Sequence, residues 1–229
     1  MSRSSAEGPG GQGTPEFAGC DVAASEAGRL FRRGGKTFLG KALLVAWILV
    51  TMLGLASLSL GHMVAMPQAD DEIKLSRALL ALRRDSSKDF LVHVIYSGCS
   101  CTERLFAHLV ERGAFAGTEE LVLFAGDDRA KRASAERAGF GFVNIPAVEL
   151  APRYGLEAAP VLVAFNAQSR LRYIGGYYNH PATVSPLDEE IHKQLASGAT
   201  PASLPIFGCA VSARLQKTVD PLGVVYRGE

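Results

Sequence analysis

The most uneven feature of the chain is a long apolar run in its first third. No formally charged residue occurs between Lys41 and Asp70, and residues 42–60 read ALLVAWILVTMLGLASLSL. At about 1.5 Å per residue, a helix of this length covers roughly the hydrocarbon thickness of a bilayer. A buried globular helix would show a polar face, and a cleaved signal peptide usually has a shorter apolar region. The pattern therefore predicts a retained transmembrane helix over residues 42–62.

Charges on the two sides of this segment predict its orientation. The basic residues that precede it are Arg29, Arg32, Arg33, Lys36 and Lys41. The acidic residues that follow it are Asp70, Asp71 and Glu72. Because cytoplasmic flanks carry the excess of Lys and Arg, we expect the N-terminus in the cytoplasm. The prediction is a single-pass protein of the cytoplasmic (inner) membrane, in contact with lipid through residues 42–62, whose C-terminal part faces the periplasm or another exocytoplasmic space.

The segments around the apolar run show no hydrophobic period. Residues 1–28 are rich in Gly, Ser, Ala, Glu and Pro, which predicts a disordered cytoplasmic tail. Residues 29–41 form a basic juxtamembrane segment, and residues 63–71 form a linker. Val64–Ala69 within that linker keep cleavage of the apolar segment open as an alternative.

Strand-like and helix-like patterns alternate after the linker. Residues 72–84 fit an amphipathic helix, and residues 90–96 (FLVHVIY) fit a strand buried on both faces. A helical pattern then runs from about Cys99 to a stop at Gly113. The strand of residues 121–125 and a charged helix over 128–138 follow. Strand, helix, strand, helix is the order of an α/β sheet.

The second half of the domain predicts antiparallel strands. The predicted elements are a short helix over 148–154, strands over 161–165 and 171–174, and helices over 188–196 and 210–217. A turn of only a few residues joins the two strands, so they are expected to be antiparallel neighbours in a mixed sheet. We assign residues 72–200 to one domain and residues 201–229 to a C-terminal extension that carries Cys209.

Composition narrows the function classes. A formal net charge of +1 argues against a nucleic-acid partner, and 48% hydrophobic residues is ordinary for a folded chain. The Gly-containing stretch at residues 113–117 lacks the Lys-Ser/Thr of a phosphate-binding loop. Cys20 falls in the predicted cytoplasmic tail and is interpreted as an incidental thiol. The other cysteines, Cys99, Cys101 and Cys209, fall on the oxidising side, where disulfides persist.

The junction at Ser97-Gly98-Cys99-Ser100-Cys101 has the strongest chemical signal. A cysteine at a helix N-terminus meets unpaired N–H groups and the positive end of the helix dipole. Both favour the thiolate, which is the nucleophile in disulfide exchange. We therefore predict that Cys99 is the nucleophile. Cys101 is expected inside the first turn, less accessible, as a resolving thiol.

The stretch Phe90–His192 resembles the thioredoxin-like superfamily. The features in common are a buried strand leading into a cysteine at a helix start, the segment Gly155-Leu156-Glu157-Ala158-Ala159-Pro160 before a strand, and a hairpin that closes on glycine. The resemblance implies a three-layer α/β sandwich and a cis Pro160 packed against the cysteines. It also implies that Ala159, with Pro160, binds an extended substrate peptide. Bacterial membrane-tethered thiol–disulfide proteins show a similar combination of anchor and exported domain.

Two features depart from the family pattern. The family has Cys-x-x-Cys after an aromatic residue, usually Trp, whereas this chain has Cys-x-Cys with Tyr96 three residues ahead. Helical residues two apart point about 200° apart, so a Cys99–Cys101 disulfide requires Cys99 outside the helix. The second departure is Cys209, which either attacks a mixed disulfide at Cys99, forms a resting bridge with Cys101, or is a buried apolar residue.

The main alternative function is a copper or zinc carrier. If Cys99 and Cys101 converged with His180 or Cys209, these soft ligands would suit Cu(I) or zinc. His93 lies in an apolar strand and is interpreted as a core residue, and His108 lies about 10 Å along the helix from Cys101. A module that uses the fold only for protein contacts is a third alternative.

Among these alternatives, the residues favour an enzyme. It is a thiol–disulfide oxidoreductase acting on protein or small-thiol disulfides outside the cytoplasm, with Cys99 as nucleophile and Cys101 or Cys209 resolving. It needs no cofactor and no metal. Its partners are a protein disulfide or dithiol substrate and an external redox partner that resets the site. Reductase, oxidase and isomerase share these residues.

Overall fold

The apolar segment lies in a long helix of the computed structural model, which describes residues 27–63, 65–183, 185–221, 223 and 225–226. Helix α1 (Ala27–Met63) contains the stretch Phe38–Ala56, whose 19 residues have a mean hydropathy of 2.1 and are not buried. By length and composition this stretch is able to cross a membrane. The predicted tail falls almost entirely outside the described residues, as does Cys20. The chain divides between Leu53 and Gly54 into two compact units.

The second unit holds a mixed sheet between helices. Its helices are α2 (Glu72–Leu80), α3 (Ser100–Arg112), α4 (Arg129–Arg137), α5 (Leu150–Tyr154), α6 (Asp188–Ala196) and α7 (Ala213–Val219). Its strands are β1 (Asp89–Tyr96), β2 (Thr118–Ala125), β3 (Gly141–Ile145), β4 (Ala158–Ala159), β5 (Val161–Phe165), β6 (Leu171–Gly175) and β7 (Cys209–Ala210). The main sheet has the order β3-β2-β1-β5-β6, and β4 pairs separately with β7.

Strand β1 is central because both of its faces are apolar. It runs parallel to β2 and antiparallel to β5, while β5 and β6 form an antiparallel hairpin. Val92 and Val94 pack toward α2, α5 and α7, whereas Leu91 and Ile95 pack toward α3 and α6. The sheet is therefore buried between two helical layers. This confirms the predicted three-layer thioredoxin-like α/β fold.

Several element boundaries differ from the prediction. Strand β3 was not predicted, since this edge strand contains Gly141 and Asn144 and buries only Phe142 and Ile145. The helix predicted over 210–217 begins at Ala213, because the residues before it pair as β7. Helix α2 ends at Leu80, earlier than predicted.

A buried ionic cluster, defined by His93, Arg112, Glu120, Tyr177 and Asp188, joins β1, β2, α3 and α6. His93 Nε2 lies 2.7 Å from Glu120 Oε2, and His93 Nδ1 lies 2.8 Å from the Tyr177 hydroxyl. The Arg112 guanidinium donates to Glu120 at 2.7 Å and to Asp188 at 2.7 Å. His93 is fully buried and its ring nitrogens are both partnered, which confirms its interpretation as a core residue.

Candidate thiol–disulfide site

The site begins where β1 ends and α3 starts. Cys99 is the N-cap of α3 and has extended backbone angles, φ −114° and ψ 115°, so it lies outside the helix. Ser97 N–H donates to the Ala125 carbonyl at 3.0 Å, which holds the loop beside the end of β2. The chain thus turns from strand to helix within three residues. This places the Cys99 side chain at the helix N-terminus, as the apolar run followed by a helical period predicts.

Thr102 ties the end of the strand to the start of the helix. Its buried hydroxyl lies 2.9 Å from the Tyr96 carbonyl and 2.5 Å from the Cys99 carbonyl, and it donates to them. The Thr102 N–H also donates to the Cys99 carbonyl at 3.1 Å. Sequence reasoning missed this positioning residue. The signal for it is a hydroxyl residue three positions after the N-cap, on the same side of the first turn.

Thr102→Val should lower the free energy of unfolding by about 1–2 kcal/mol. Val keeps the shape of the side chain but leaves buried carbonyl oxygens without their hydroxyl donor. Urea unfolding of the full-length chain in detergent measures this change. The exposed neighbour Ser100 provides the control, and Ser100→Ala should change the free energy by less than about 0.5 kcal/mol. Equal effects of the two substitutions would contradict a positioning role for Thr102.

Cys99 forms a disulfide with Cys209, and Cys101 is free. The Cα atoms of Cys99 and Cys209 are 5.7 Å apart, inside the usual range for a disulfide. The Sγ atoms of Cys99, Cys101 and Cys209 all lie within 4.8 Å of one another. The structure therefore brings the three predicted cysteines together. Of the alternatives left open for Cys209, a resting bridge with Cys101 is not the one formed.

The accessibility of the two neighbouring cysteines is the reverse of the prediction. Cys99 is 1% exposed and Cys209 is 8% exposed, whereas Cys101 is exposed. The expectation that Cys101 is the less accessible thiol is wrong. The N-cap residue and Thr102 share the side of α3 that faces the domain, and a residue two positions from the N-cap points away from it. Cys99 is bonded to Cys209, which is itself buried.

The peptide bond between Ala159 and Pro160 is cis, as the resemblance implies. Ala159 ends the short strand β4, which pairs antiparallel with β7, so that Ala159 lies opposite Cys209. Ala159 and Pro160 are both buried. The backbone position that the resemblance assigns to a substrate peptide is thus occupied by a segment of the same chain.

A groove beside the disulfide opens onto the free thiol. Cys101, Arg104, Tyr178, Pro181 and Phe207 are among its lining residues. Burial raises the pKa of the Tyr178 hydroxyl, and the charge of a Cys101 thiolate adds to this rise while Arg104 opposes it. The phenol therefore stays protonated at neutral pH. This makes Tyr178 a hydrogen-bond donor or acceptor at the wall of the groove.

The histidines considered above, His93, His108 and His180, do not join the cysteine cluster. Among the residues that the structure describes, the group with metal-binding spacing consists of Cys99, Cys101 and Cys209. His180 is exposed, and its Nδ1 accepts a hydrogen bond from Ala182 N–H at 3.1 Å. His108 Nε2 lies 2.9 Å from Asp188 Oδ1, at the rim of the buried ionic cluster. Reduced thiolates are therefore the ligands that this site offers to a soft metal.

The acidic pair at residues 127 and 128 is structural. The Asp128 carboxylate accepts hydrogen bonds from Ala130 N–H and Lys131 N–H at 2.9 and 3.0 Å. These contacts lower the pKa of Asp128, the backbone hydrogen bond from Lys131 contributing most. Asp128 is thus the N-cap of α4 and lies outside the cysteine cluster.

Comparisons with known proteins find similar folds at low identity. No family model matches the sequence, and no curated protein matches it significantly. A hypothetical protein from Sinorhizobium meliloti is 21% identical, with a TM-score of 0.44 over 56% of this chain and 82% of that one. An uncharacterized conserved protein from Geobacillus kaustophilus is 18% identical, with a TM-score of 0.43 over 55% of this chain and 77% of that one.

The solved structures that match also include a secreted Mycobacterium tuberculosis disulfide oxidoreductase homologous to E. coli DsbE. It is 14% identical, with a TM-score of 0.34 over 48% of this chain and 82% of that one. Likeness at these identities concerns the fold alone. In the part of the chain that the structure describes, the sheet order and the cysteine geometry are those of a domain of thioredoxin-like fold in which Cys99, Cys101 and Cys209 meet, and an apolar helix of membrane-spanning length belongs to the same chain.

Proposed function

We propose that this protein is a membrane-anchored thiol–disulfide oxidoreductase that acts on protein or small-thiol disulfides outside the cytoplasm. The observation that carries the proposal is a disulfide at a helix N-terminus with a free, exposed thiol beside it, all three Sγ atoms within 4.8 Å. Disulfide exchange needs a thiolate, a second thiol to resolve the mixed disulfide, and access for a partner. The cluster supplies the two thiols, and its exposed member, Cys101, lines a groove beside them.

Cys99 is the residue best placed to be the nucleophile. Once reduced, its sulfur lies at the N-terminus of α3, a helix of 13 residues. The unpaired N–H groups of the first turn and the positive end of the helix dipole stabilise a thiolate there. A lower thiol pKa raises the fraction of nucleophile at neutral pH. Cys209 and Cys101 lack an N-cap position.

The reaction consists of three exchanges of thiols and disulfides. First, an external dithiol attacks the Cys99–Cys209 bond and leaves as a disulfide, so that both cysteines become thiols. Second, the Cys99 thiolate attacks one sulfur of a substrate disulfide, and the other substrate sulfur leaves as a thiolate and takes up a proton. Third, Cys209 attacks Cys99 Sγ in this mixed disulfide and expels the second substrate thiolate. Two electrons have then passed from the external dithiol to the substrate.

Cys209 is favoured over Cys101 as the resolving thiol. The bond between Cys99 and Cys209 is the product that the third exchange yields when Cys209 resolves. Run in reverse, the same steps oxidise a substrate dithiol. The direction depends on the reduction potentials of the external partner and the substrate.

Cys99→Ser should reduce the rate of insulin reduction at least about a hundredfold, since no other cysteine occupies the N-cap of α3. The assay uses the full-length chain in detergent with Cys20→Ser as background and dithiothreitol as reductant. Cys101→Ser is the matched control and should retain most of the rate. Cys209→Ser should accumulate a Cys99 mixed disulfide, which mass spectrometry identifies. Unchanged reduction and trapping in the Cys99 variant would rule out the proposal.

A copper or zinc carrier is the second candidate, favoured by the spacing of the same sulfurs. Three thiolates within 4.8 Å suit trigonal Cu(I). Because a disulfide removes two of these ligands, only the reduced chain should bind. This candidate requires about one equivalent of Cu(I) or zinc on the reduced Cys20→Ser chain, lost on Cys99→Ser or Cys101→Ser. Binding that survives both changes would exclude this site.

A further inference from the structure

The segment that carries Cys209 is held like a bound peptide. It runs extended through β7, where Cys209 lies opposite Ala159 and is covalently bonded to Cys99. On either side, the Ile206 carbonyl accepts from Met66 N–H at 2.8 Å, and Val211 N–H donates to the Glu157 carbonyl at 2.7 Å. Backbone pairing and one disulfide therefore fix this segment in the site.

We infer that residues 207–210 occupy the place of the substrate, and that the substrate is an extended peptide in which glycine immediately precedes the reactive cysteine. This inference rests on the proposed function. Cys99 is 1% exposed and its sulfur is bonded to Cys209, so a substrate sulfur takes that place only after the bond is broken and Cys209 moves away. The departure of β7 leaves β4 with an unpaired edge, which is a template for another extended peptide.

The substrate cysteine must then take the position of Cys209. The sulfur of Cys209 and the sulfur of the substrate cysteine each bond to Cys99 Sγ. Residues 207–210 and the substrate peptide likewise pair with the same strand edge at Ala159. The geometry of the internal disulfide is therefore a template for the intermolecular one. A peptide that pairs with β4 in this register places the residue before its cysteine where Gly208 now lies.

Only glycine fits at that preceding position. A Cβ atom at residue 208 would lie 2.7 Å from Pro160 Cδ and closer still to the Ala159 carbonyl oxygen. Both residues are buried, and a backbone carbonyl and a proline ring have little room to move. One residue earlier, Phe207 lines the groove with Tyr178 and Pro181, which favours an apolar residue there. The expected motif is apolar-Gly-Cys.

Two synthetic peptides test this inference. One carries the chain's own residues 204–211, Leu-Pro-Ile-Phe-Gly-Cys-Ala-Val, and the other has alanine in place of glycine. Each peptide cysteine is first joined to thionitrobenzoate as a mixed disulfide. The Cys99 thiolate attacks the peptide sulfur, thionitrobenzoate leaves as a coloured thiolate, and a Cys99–peptide disulfide forms. Full-length chain with Cys20→Ser, Cys101→Ser and Cys209→Ser keeps Cys99 as its one thiol.

The glycine peptide should react at least about tenfold faster than the alanine peptide, because the extra methyl group must displace backbone. Ellman's disulfide, which has no peptide backbone, reports whether Cys99 is reactive at all. Rates for the two peptides within about twofold of each other, with a reactive Cys99, would overturn the inference alone. A Cys99 that is inert toward both peptides and the small disulfide would instead overturn the proposed function.

A variant of the chain itself gives a second measurement. Gly208→Ala places the same methyl group in the chain's own segment and should raise the rate of the glycine peptide severalfold, since its internal competitor no longer fits. A loss of the near-UV circular dichroism signal would show that the variant is unfolded. The comparison of the glycine and alanine peptides on the chain that keeps Gly208 does not depend on this variant. An unchanged or lower rate in a folded variant would contradict occupation of the substrate position by residues 207–210.

Discussion

Glu120→Gln should lower the free energy of unfolding by about 3–5 kcal/mol, the usual cost of removing one partner of a buried ion pair. The Glu120 side chain is fully buried and accepts hydrogen bonds from Arg112, His93 and the Phe115 N–H. The glutamine amide supplies one acceptor oxygen where the carboxylate supplies two. Its NH₂ group would also face donors, which leaves the Arg112 charge less compensated.

The pH dependence of stability should report the same carboxylate. Burial by itself raises the pKa of Glu120, but hydrogen bonding and attraction from His93 and Arg112 outweigh it and lower the pKa from 4.5 to about 2. A depressed pKa means that the folded state holds fewer protons than the unfolded state. The contribution is therefore complete above about pH 4.5 and is lost as pH falls toward 2. It amounts to roughly 3 kcal/mol.

The measurement is urea unfolding of the full-length chain in detergent, followed by near-UV circular dichroism. The single Trp, Trp47, lies in α1, whereas Tyr154, Tyr173 and Tyr177 are buried in the second unit and report its folding. Glu111→Gln is the control because Glu111 is exposed on α3 beside Arg112. The role of Glu120 would be contradicted if Glu120→Gln cost no more stability than Glu111→Gln. It would also be contradicted if the stability of the Glu120→Gln chain fell as steeply with acid as that of the unchanged chain.

Reduction of the Cys99–Cys209 disulfide should lower the free energy of unfolding by roughly 4 kcal/mol. The two cysteines are 110 residues apart, and a crosslink closing so long a loop strongly restricts the unfolded chain. The loop spans from the start of α3 to β7, so it contains most of the sheet. Oxidised and reduced chains, each with Cys20→Ser, are compared by urea unfolding under otherwise equal conditions.

The free thiol provides the control for this second prediction. Cys101 is exposed, so Cys101→Ser should change the stability of the oxidised chain by less than about 0.5 kcal/mol. Cys209→Ser should reproduce most of the loss seen on reduction. If the reduced chain were as stable as the oxidised one, residual structure in the unfolded chain would have to replace the constraint of the disulfide. Folding and formation of the Cys99–Cys209 disulfide are thermodynamically linked. A large loss of stability on reduction therefore means that the folded chain favours the disulfide-bonded state.

The strand-to-helix junction was predictable because its determinants are local. An uninterrupted apolar run predicts a central strand, and β1 is buried on both faces. The helical period after Cys99 predicts α3, and the turn at residues 166–169 predicts the hairpin of β5 and β6. The edge strand β3 was missed because an edge strand needs few buried residues, and its pattern is correspondingly weak.

The relation between the cysteines was not predictable, because it depends on contacts far apart in sequence. The sequence places Cys99 at the helix N-terminus but does not show which side of the first turn is covered. The partner of Cys99 is 110 residues away, and it arrives there through pairing between β4 and β7, strands of two residues each. Strands so short have no hydrophobic pattern of their own.

By itself, therefore, the sequence of this protein determined the apolar helix, the α/β order, the cap at Cys99 and the position of Pro160. These follow from local periodicity and from the chemistry of single residues. Only the tertiary structure decided that Cys99 is buried, that Cys101 is the exposed thiol and that Cys209 bonds to Cys99. Burial and pairing depend on the packing of distant segments, and a linear pattern does not record which segments meet.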